Sequence, residues 1–84
     1  MYQKERHIMH VAAIGSMTVA IKAQRALAAA GVESKIISLL PTQTRRGCAY
    51  GIEYPPTQEK EIRRALHFAR IPVSQYLTME DPDS

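Results

Sequence analysis

The sequence has a single cysteine, no tryptophan and no long apolar segment. One cysteine cannot form a disulfide within the chain, so the fold must be stable without one. The longest uncharged stretch, residues 7–21, is interrupted by histidine, glycine, serine and threonine, and it does not predict a membrane-spanning helix. The charged N-terminal residues do not have the pattern of a signal peptide. These absences predict a cytoplasmic protein in a reducing compartment, with no membrane partner.

Acidic residues are scarce outside the C-terminus. The chain has 11 lysines and arginines against 8 aspartates and glutamates, and Glu80, Asp81 and Asp83 all lie in the last five residues. The body of the chain is therefore basic, which favours an anionic ligand, an acidic protein partner or nucleic acid. A chain of 84 residues is long enough for one compact domain, predicted over residues 1–78, with an acidic and disordered tail over 79–84.

The hydrophobic pattern predicts two helices and four strands. An apolar run, IMHVAAI, ends at Gly15, and Ser16 is a suitable N-cap for the alanine-rich helix that follows. The predicted elements are, in chain order, a strand over 8–14, a helix over 17–30, strands over 32–40 and 48–54, a helix over 58–70 capped by Thr57, and a strand over 73–77. This order is typical of the ferredoxin-like α+β fold, in which two helices cover one face of a four-stranded antiparallel sheet.

Cys48 is the candidate functional residue because of where this fold would place it. The first and third strands of the predicted sheet are antiparallel neighbours, so the third strand starts beside the end of the first. Cys48 would then lie next to Gly15 and Ser16, where N–H groups and the positive end of the helix dipole stabilise an anion. Arg45 and Arg46 precede Cys48 and would act in the same direction. A single cysteine is more often a buried apolar residue, and both interpretations stay open on the residues alone.

The same segments resemble a known family. The helix start at Ser16, the strand ending at Pro41 and the segment TQTRRGCAYGIEY are similar to the selenium/sulfur carrier protein-like family, over about residues 8–77. The resemblance implies that Cys48 carries a sulfur or selenium atom as a persulfide or perselenide, with Gly47 letting the backbone approach. It also implies a donor of the cysteine desulfurase or selenocysteine lyase type and an acceptor protein of unknown identity. The family has arginine after the loop proline and glycine after the cysteine, where this chain has threonine and alanine.

Two other functions fit the same order of elements. In RNA-recognition domains, aromatic residues of the third strand stack on bases, and Tyr50 and Tyr54 are the candidates here. The first strand supplies no aromatic partner for them, so nucleic acid is the less favoured partner. A regulatory ligand-binding or dimerisation module would hold a small anion at the glycine-flanked end of the first strand and would not need Cys48. The requirement for Cys48 is therefore what distinguishes a carrier from such a module.

Stand-alone catalysis and cofactor binding are not predicted. The sequence shows no combination of nucleophile, base and orienting residue, and no phosphate-binding loop, so a non-enzymatic carrier is favoured and no cofactor is expected. His7 and His10 would lie on opposite faces of a strand, and only one sulfur is present, so no metal site is predicted.

The second strand predicts self-association. Its apolar residues fall on both faces, with Ile37 and Leu39 opposite Ile36 and Leu40. Since this strand would lie at an edge of the sheet and helices would cover only one sheet face, part of the apolar surface would stay exposed. We therefore expect a homodimer formed through the second strand or the uncovered face.

Overall fold

A computed structural model describes residues 7–81, which form four strands and two helices. In chain order these are β1 (His7–Ile14), α1 (Met17–Ala29), β2 (Lys35–Ser38), β3 (Tyr50–Tyr54), α2 (Glu59–Phe68) and β4 (Gln75–Asp81), with short 3-10 helices at Pro41–Gln43 and Pro56–Gln58. The sheet order is β2-β3-β1-β4, and each neighbouring pair is antiparallel. The predicted ferredoxin-like α+β fold is confirmed. Among the helices formed by residues 7–81, none has the length and apolar character needed to cross a membrane.

The two helices begin in different ways. Ser16 has an extended backbone, and its Oγ accepts a hydrogen bond from the N–H of Val19 at 3.2 Å, which confirms the predicted N-cap of α1. This bond satisfies one of the donors that a helix start leaves without an intrahelical partner. The predicted cap of α2 is wrong, because Thr57 lies inside the 3-10 helix that starts at Pro56. Gln58 is the residue that precedes α2.

Three strands have limits that differ from the prediction by more than one residue. β2 is shorter than the predicted range of residues 32–40. β3 begins at Tyr50 rather than at Cys48, and residues 47–49 before it have no regular secondary structure. β4 continues past Leu77 and pairs with β1 as far as Asp81. Residues 79–81 therefore belong to the sheet rather than to the predicted tail. Residues 82–84 of that tail lie outside the described residues.

The helices pack on one face of the sheet. Ala20 and Ala23 of α1 are both fully buried there, and their small side chains let the helix approach the strands closely. Larger buried residues complete this helix-side core, and they are Ile14, Leu27, Ile52, Tyr54, Ile62 and Leu66. Each such side chain contributes about 1.5–3 kcal/mol when fully buried. Most of the buried apolar volume therefore lies between the helices and the sheet.

Among residues 7–81, cover for the opposite face of the sheet lies only at one end. Val11 and Ala13 of β1 are fully buried there, in contact with Leu39 and Cys48 from the segment between β2 and β3. Half-buried apolar residues surround this cover, and they are Ile37, Leu77 and Met79. The second face therefore carries a small satellite core and a partly exposed apolar surface.

The expected homodimer would use this second face or the outer edge of β2. β2 is an edge strand, as predicted. Ile36 packs against the helix-side core, whereas Ile37 packs on the partly covered face. The homodimer stays a prediction, and Ile37 is the β2 residue that such an interface would bury.

A polar cluster joins α2 to the sheet. Oε1 of Glu59 lies 2.6 Å from Nδ1 of His10 and accepts a 2.9 Å hydrogen bond from the hydroxyl of Tyr54. Oε2 of Glu59 accepts a hydrogen bond from Nε of Arg63, whose guanidinium lies 3.9 Å from the centroid of the Tyr76 ring. Burial acts to raise the pKa of Glu59, but the hydrogen bonds from Arg63, His10 and Tyr54 outweigh it and lower that pKa. Burial and the Glu59 carboxylate raise the pKa of Tyr54, so its hydroxyl stays a donor.

Replacing Glu59 with glutamine tests this cluster. Because its pKa is lowered in the folded state, the carboxylate stabilises the fold above the ordinary glutamate pKa of about 4.3, and this stabilisation is lost as the pH falls through the lower folded-state value. We expect Glu59→Gln to lower the free energy of unfolding by about 1–2 kcal/mol at neutral pH and by much less in acid. Urea unfolding at both pH values measures this. Glu61→Gln, on the exposed side of the same turn, is the control. If Glu59→Gln lowered the free energy of unfolding equally at both pH values, the stabilising role of the Glu59 carboxylate would be contradicted.

Candidate functional site

The segment over residues 39–49 folds over the sheet face opposite the helices. The N–H of Leu39 donates to the carbonyl of Ala49 at 2.8 Å, which extends the pairing of β2 with β3. The Leu39 side chain is buried against β1. A Cβ atom on Gly51 of β3 would lie 2.6 Å from Cγ1 of Val11 and 3.1 Å from Cδ1 of Leu39. The glycine therefore leaves the room that this segment needs to pack on the sheet.

Hydrogen bonds within the segment fix its turn. Oε1 of Gln43 accepts a hydrogen bond from the N–H of Leu40 at 2.7 Å. Oγ1 of Thr44, a buried residue, accepts one from the N–H of Cys48 at 2.7 Å. Gly47 has a φ of +66°, in the left-handed region that other residues rarely adopt. The turn thus fixes the backbone of Cys48 at the point where the chain returns to the sheet.

Cys48 is buried, with 7% of its surface exposed. Its side chain packs with Val11, Ala13 and Leu39, and its Sγ lies 2.8 Å from Oγ of Ser74, the residue before β4. Ser74 is itself anchored to β1, because its N–H and its hydroxyl donate to the carbonyl of Ala13 at 3.0 Å and 3.4 Å. A serine hydroxyl has one proton: while that proton points to the Ala13 carbonyl the oxygen can accept from the thiol, and when it turns to Cys48 the hydroxyl donates to the thiolate instead. The thiol is therefore held beside a group that can hydrogen-bond to it in either protonation state.

A cleft of about 570 Å³ opens beside Cys48 at this end of the sheet. Gly15 and Ser16, at the start of α1, line one part of it, and Arg46 and Gly47 line another. The other lining residues are Val19, Pro72, Val73 and Ser74. The start of α1 contributes the positive end of a helix dipole, and Arg46 contributes a full positive charge. The cleft is thus suited to an anion next to the thiol.

The structure brings together most of the residues that the sequence predicted around Cys48. Those that line the cleft with it are Gly15, Ser16, Arg46 and Gly47. Arg45 is exposed and does not line the cleft. Its backbone N–H donates to Oε1 of Gln75 at 3.1 Å, which ties the segment to β4. The roles of these residues stay predictions, and Arg46 is better placed than Arg45 to act on a group bound at the thiol.

The face of the sheet that Cys48 occupies differs from the prediction. Simple alternation along a strand from residue 48 puts Cys48 on the same side as Tyr50, Ile52 and Tyr54. In the structure these three residues pack into the helix-side core, whereas Cys48 packs on the other face. The reason is that β3 starts only at Tyr50, so alternation does not extend back to the cysteine.

Ser74 and Thr44 are site residues that sequence reasoning missed. Because β1 lies between β3 and β4, the starts of both outer neighbours meet at the end of β1, and Ser74 immediately precedes β4. Strand order alone could therefore have brought the residues before β4 to the same end of the sheet as the cysteine, although not the contact itself. Thr44 lies four residues before Cys48, a separation at which a hydroxyl can bond to a nearby backbone N–H. Nothing in the sequence distinguishes that threonine from Thr42 in the same loop.

The residues required by the RNA-binding alternative are not available for stacking. Tyr54 is fully buried and its hydroxyl bonds to Glu59, while Tyr50 is partly buried in the helix-side core. Base stacking on this fold needs aromatic rings on the open sheet face. β3 places Gly51 and Glu53 on that face instead, so stacking by the two tyrosines is excluded.

Comparisons with known proteins identify a family and support the fold. Residues 9–77 match the family model described as "Putative Se/S carrier protein-like". The regulatory subunit of aspartate kinase from Thermus flavus has a similar structure, with a TM-score of 0.54 and 19% sequence identity over 90% of this chain. This chain covers 52% of that subunit, about half its length, and the likeness shows the fold alone. No curated protein matches the sequence.

Replacing Ser74 with alanine tests its contact with the thiol. Without the hydroxyl, the Cys48 thiolate loses a donor, so we expect alkylation of Cys48 by iodoacetamide at neutral pH to slow about threefold to tenfold, which corresponds to about 0.7–1.4 kcal/mol for one hydrogen bond. Mass spectrometry of timed samples gives the rates. Thr78→Ala, which removes an exposed hydroxyl from β4, is the matched control. A rate for Ser74→Ala equal to or above that of the unchanged protein would refute the role of the hydroxyl.

Proposed function

The chain belongs to the selenium/sulfur carrier protein-like family, and from that premise we propose that Cys48 accepts one sulfur or selenium atom, as a persulfide or perselenide, and delivers it to a partner. The observation that supports this most is the position of the single thiol, which lies in the wall of a cleft and 2.8 Å from the hydroxyl of Ser74. A cysteine that only filled the core would need neither the cleft nor the hydroxyl partner.

Loading is a redox-neutral transfer between two thiols. The Cys48 thiolate attacks the terminal sulfur of a donor persulfide, a bond forms between Sγ and that sulfur, and the S–S bond of the donor breaks. The electron pair of the broken bond leaves on the donor thiolate, so no oxidant is needed. Delivery is the same step in reverse: an acceptor nucleophile attacks the terminal atom, and the Cys48 thiolate leaves. A selenium atom follows the same balance.

Three features of the cleft would favour these steps. Ser74 donates to the Cys48 thiolate before attack and again when the thiolate leaves. Arg46 and the start of α1 place positive charge where the terminal sulfur or selenium anion would lie. The burial of Cys48 limits attack on Sγ by thiols in solution, which would otherwise remove the loaded atom.

The cleft has little acid–base chemistry of its own. Apart from Cys48, the ionisable residue in its lining is Arg46, within the part of the chain that the structure describes. Arginine stays protonated and cannot act as a general base. Cleavage of a C–S or C–Se bond would therefore take place on a donor enzyme of the cysteine desulfurase or selenocysteine lyase type. This protein would act as the carried substrate of that enzyme rather than as a stand-alone catalyst.

Loading is expected to change the mass of the intact protein. Incubation with a cysteine desulfurase and cysteine should add the mass of one sulfur atom, and a mild reductant should remove it. Because Cys48 is the sole cysteine, the added atom has one expected site. Intact-mass spectrometry measures the gain.

Two controls separate loading at Cys48 from other additions. Cys48→Ser removes the nucleophile, and unchanged protein alkylated beforehand blocks the thiol without a mutation. Both should gain no sulfur, with circular dichroism used to confirm that the serine variant is folded. An equal gain in the blocked protein would sink the assignment of Cys48.

A further inference from the structure

One end of the fold, here called the thiol end, is formed by three segments that meet around Cys48. The first is the end of β1 with the start of α1 (residues 14–20), and the second is the segment between β2 and β3 (residues 38–50). The third is the end of α2 with the start of β4 (residues 66–75). These segments contain no aspartate and no glutamate. They carry three exposed arginines, Arg45, Arg46 and Arg70. The thiol end therefore presents positive charge that no carboxylate of its own segments neutralises.

The acidic residues of the described chain lie toward the opposite end. They are Glu33 before β2, Glu53 in the second half of β3, Glu59 and Glu61 at the start of α2, and Glu80 and Asp81 at the end of β4. Because neighbouring strands are antiparallel, these positions fall together at the end of the sheet away from Cys48. The fold thus keeps the carboxylates of the described residues away from the thiol end, whereas basic residues occur at both ends.

The thiol end also exposes large apolar side chains. Phe68, the last residue of α2, is 88% exposed, and Leu40 is 64% exposed. Met17, which directly follows the cleft residue Ser16, is 42% exposed. Aromatic anchors often dominate the affinity of protein interfaces, so an exposed phenylalanine beside a charged surface is suited to that role.

We propose that the thiol end is a docking surface for a partner protein segment in which carboxylates flank apolar side chains. Arg45, Arg46 and Arg70 would pair with the carboxylates, and Phe68 and Leu40 would pack against the apolar residues. The inference rests on the proposed function and deepens it by giving the chemistry of the donor or acceptor surface. Cys48 is 7% exposed and opens on the cleft, so the thiol of a protein partner would reach it from a segment seated at this end.

The composition of the surface favours protein over nucleic acid. Arginines alone would suit either polyanion, since both present negative charge. Single-stranded nucleic acid is held by stacking on several aromatic rings along a basic groove. The thiol end exposes two adjacent rings, Phe68 and His67, rather than a row of rings along a groove. Its other exposed apolar side chains, Leu40 and Met17, match the apolar residues of a protein segment.

Peptide disulfides test the docking surface without any sulfur transfer. Each peptide carries one cysteine activated as a disulfide with thionitrobenzoate; the Cys48 thiolate attacks the peptide sulfur, and the coloured aromatic thiolate leaves with the electron pair. One peptide flanks the cysteine with glutamate and leucine, a second has lysine for glutamate, and a third has serine for leucine. We expect the glutamate–leucine peptide to react about tenfold faster than the lysine peptide at low salt, and faster than the serine peptide.

Variants assign the preferences to residues. Arg46→Gln and Arg70→Gln should reduce the advantage of glutamate over lysine, and Phe68→Ser should reduce the advantage of leucine over serine. The matched controls are Arg25→Gln, an exposed arginine in the second half of α1, and Ile8→Ser, an apolar residue that is 48% exposed near the opposite end of β1. Both controls should leave the peptide preferences unchanged.

Several outcomes would overturn the proposal. Equal rates for the glutamate and lysine peptides would remove the electrostatic part, and an unchanged leucine preference in Phe68→Ser would remove the apolar part. A third contradicting result is inhibition of the exchange by a single-stranded oligonucleotide at physiological salt, in the unchanged protein and not in Phe68→Ser. That result would show that the surface binds nucleic acid rather than a protein segment. The exchange uses only the thiol of Cys48, so peptide preferences without sulfur loading would refute the carrier function and leave the docking surface standing.

Discussion

Leu39 and Val11 meet over Gly51, and the position of the thiol depends on that contact. A side chain at residue 51 would occupy the space they fill, so the segment over residues 39–49 could not pack on the sheet as it does. With the segment seated, the turn at Gly47 brings Cys48 onto β1 and against Ser74. The second sheet face, which the described residues otherwise cover only in part, thereby gains a small core with a thiol at its border.

Local signals in the sequence were enough to predict the order of elements, the fold and the N-cap at Ser16. Strand order also predicted that Cys48 lies beside the end of β1. The face that Cys48 occupies could not be predicted, because it depends on where regular strand geometry begins, at Tyr50. The contact with Ser74 joins residues 26 positions apart and depends on the register of β4 on β1, which no local pattern encodes.

The two ends of the sheet have different physical roles in this account. At one end, Glu59 gathers three hydrogen-bond partners and fastens α2 to the strands, so this end contributes stability. The other end carries exposed arginines, Phe68 and a thiol that the fold positions and largely covers. Stabilising contacts and candidate chemistry are thus separated, and the thiol end can present charge and apolar surface to a partner without weakening the main core.

The central claim is that Cys48 both accepts and releases an atom, and a chase with labelled sulfur tests it most directly. The protein would be loaded with heavy-isotope sulfur, separated from its donor and mixed with an excess of a small acceptor thiol, with the mass of both followed over time. The account predicts that the label leaves Cys48, appears in the acceptor as a persulfide, and leaves behind a protein that can be loaded again. A label that never enters at Cys48, or that enters and cannot be transferred, would contradict it.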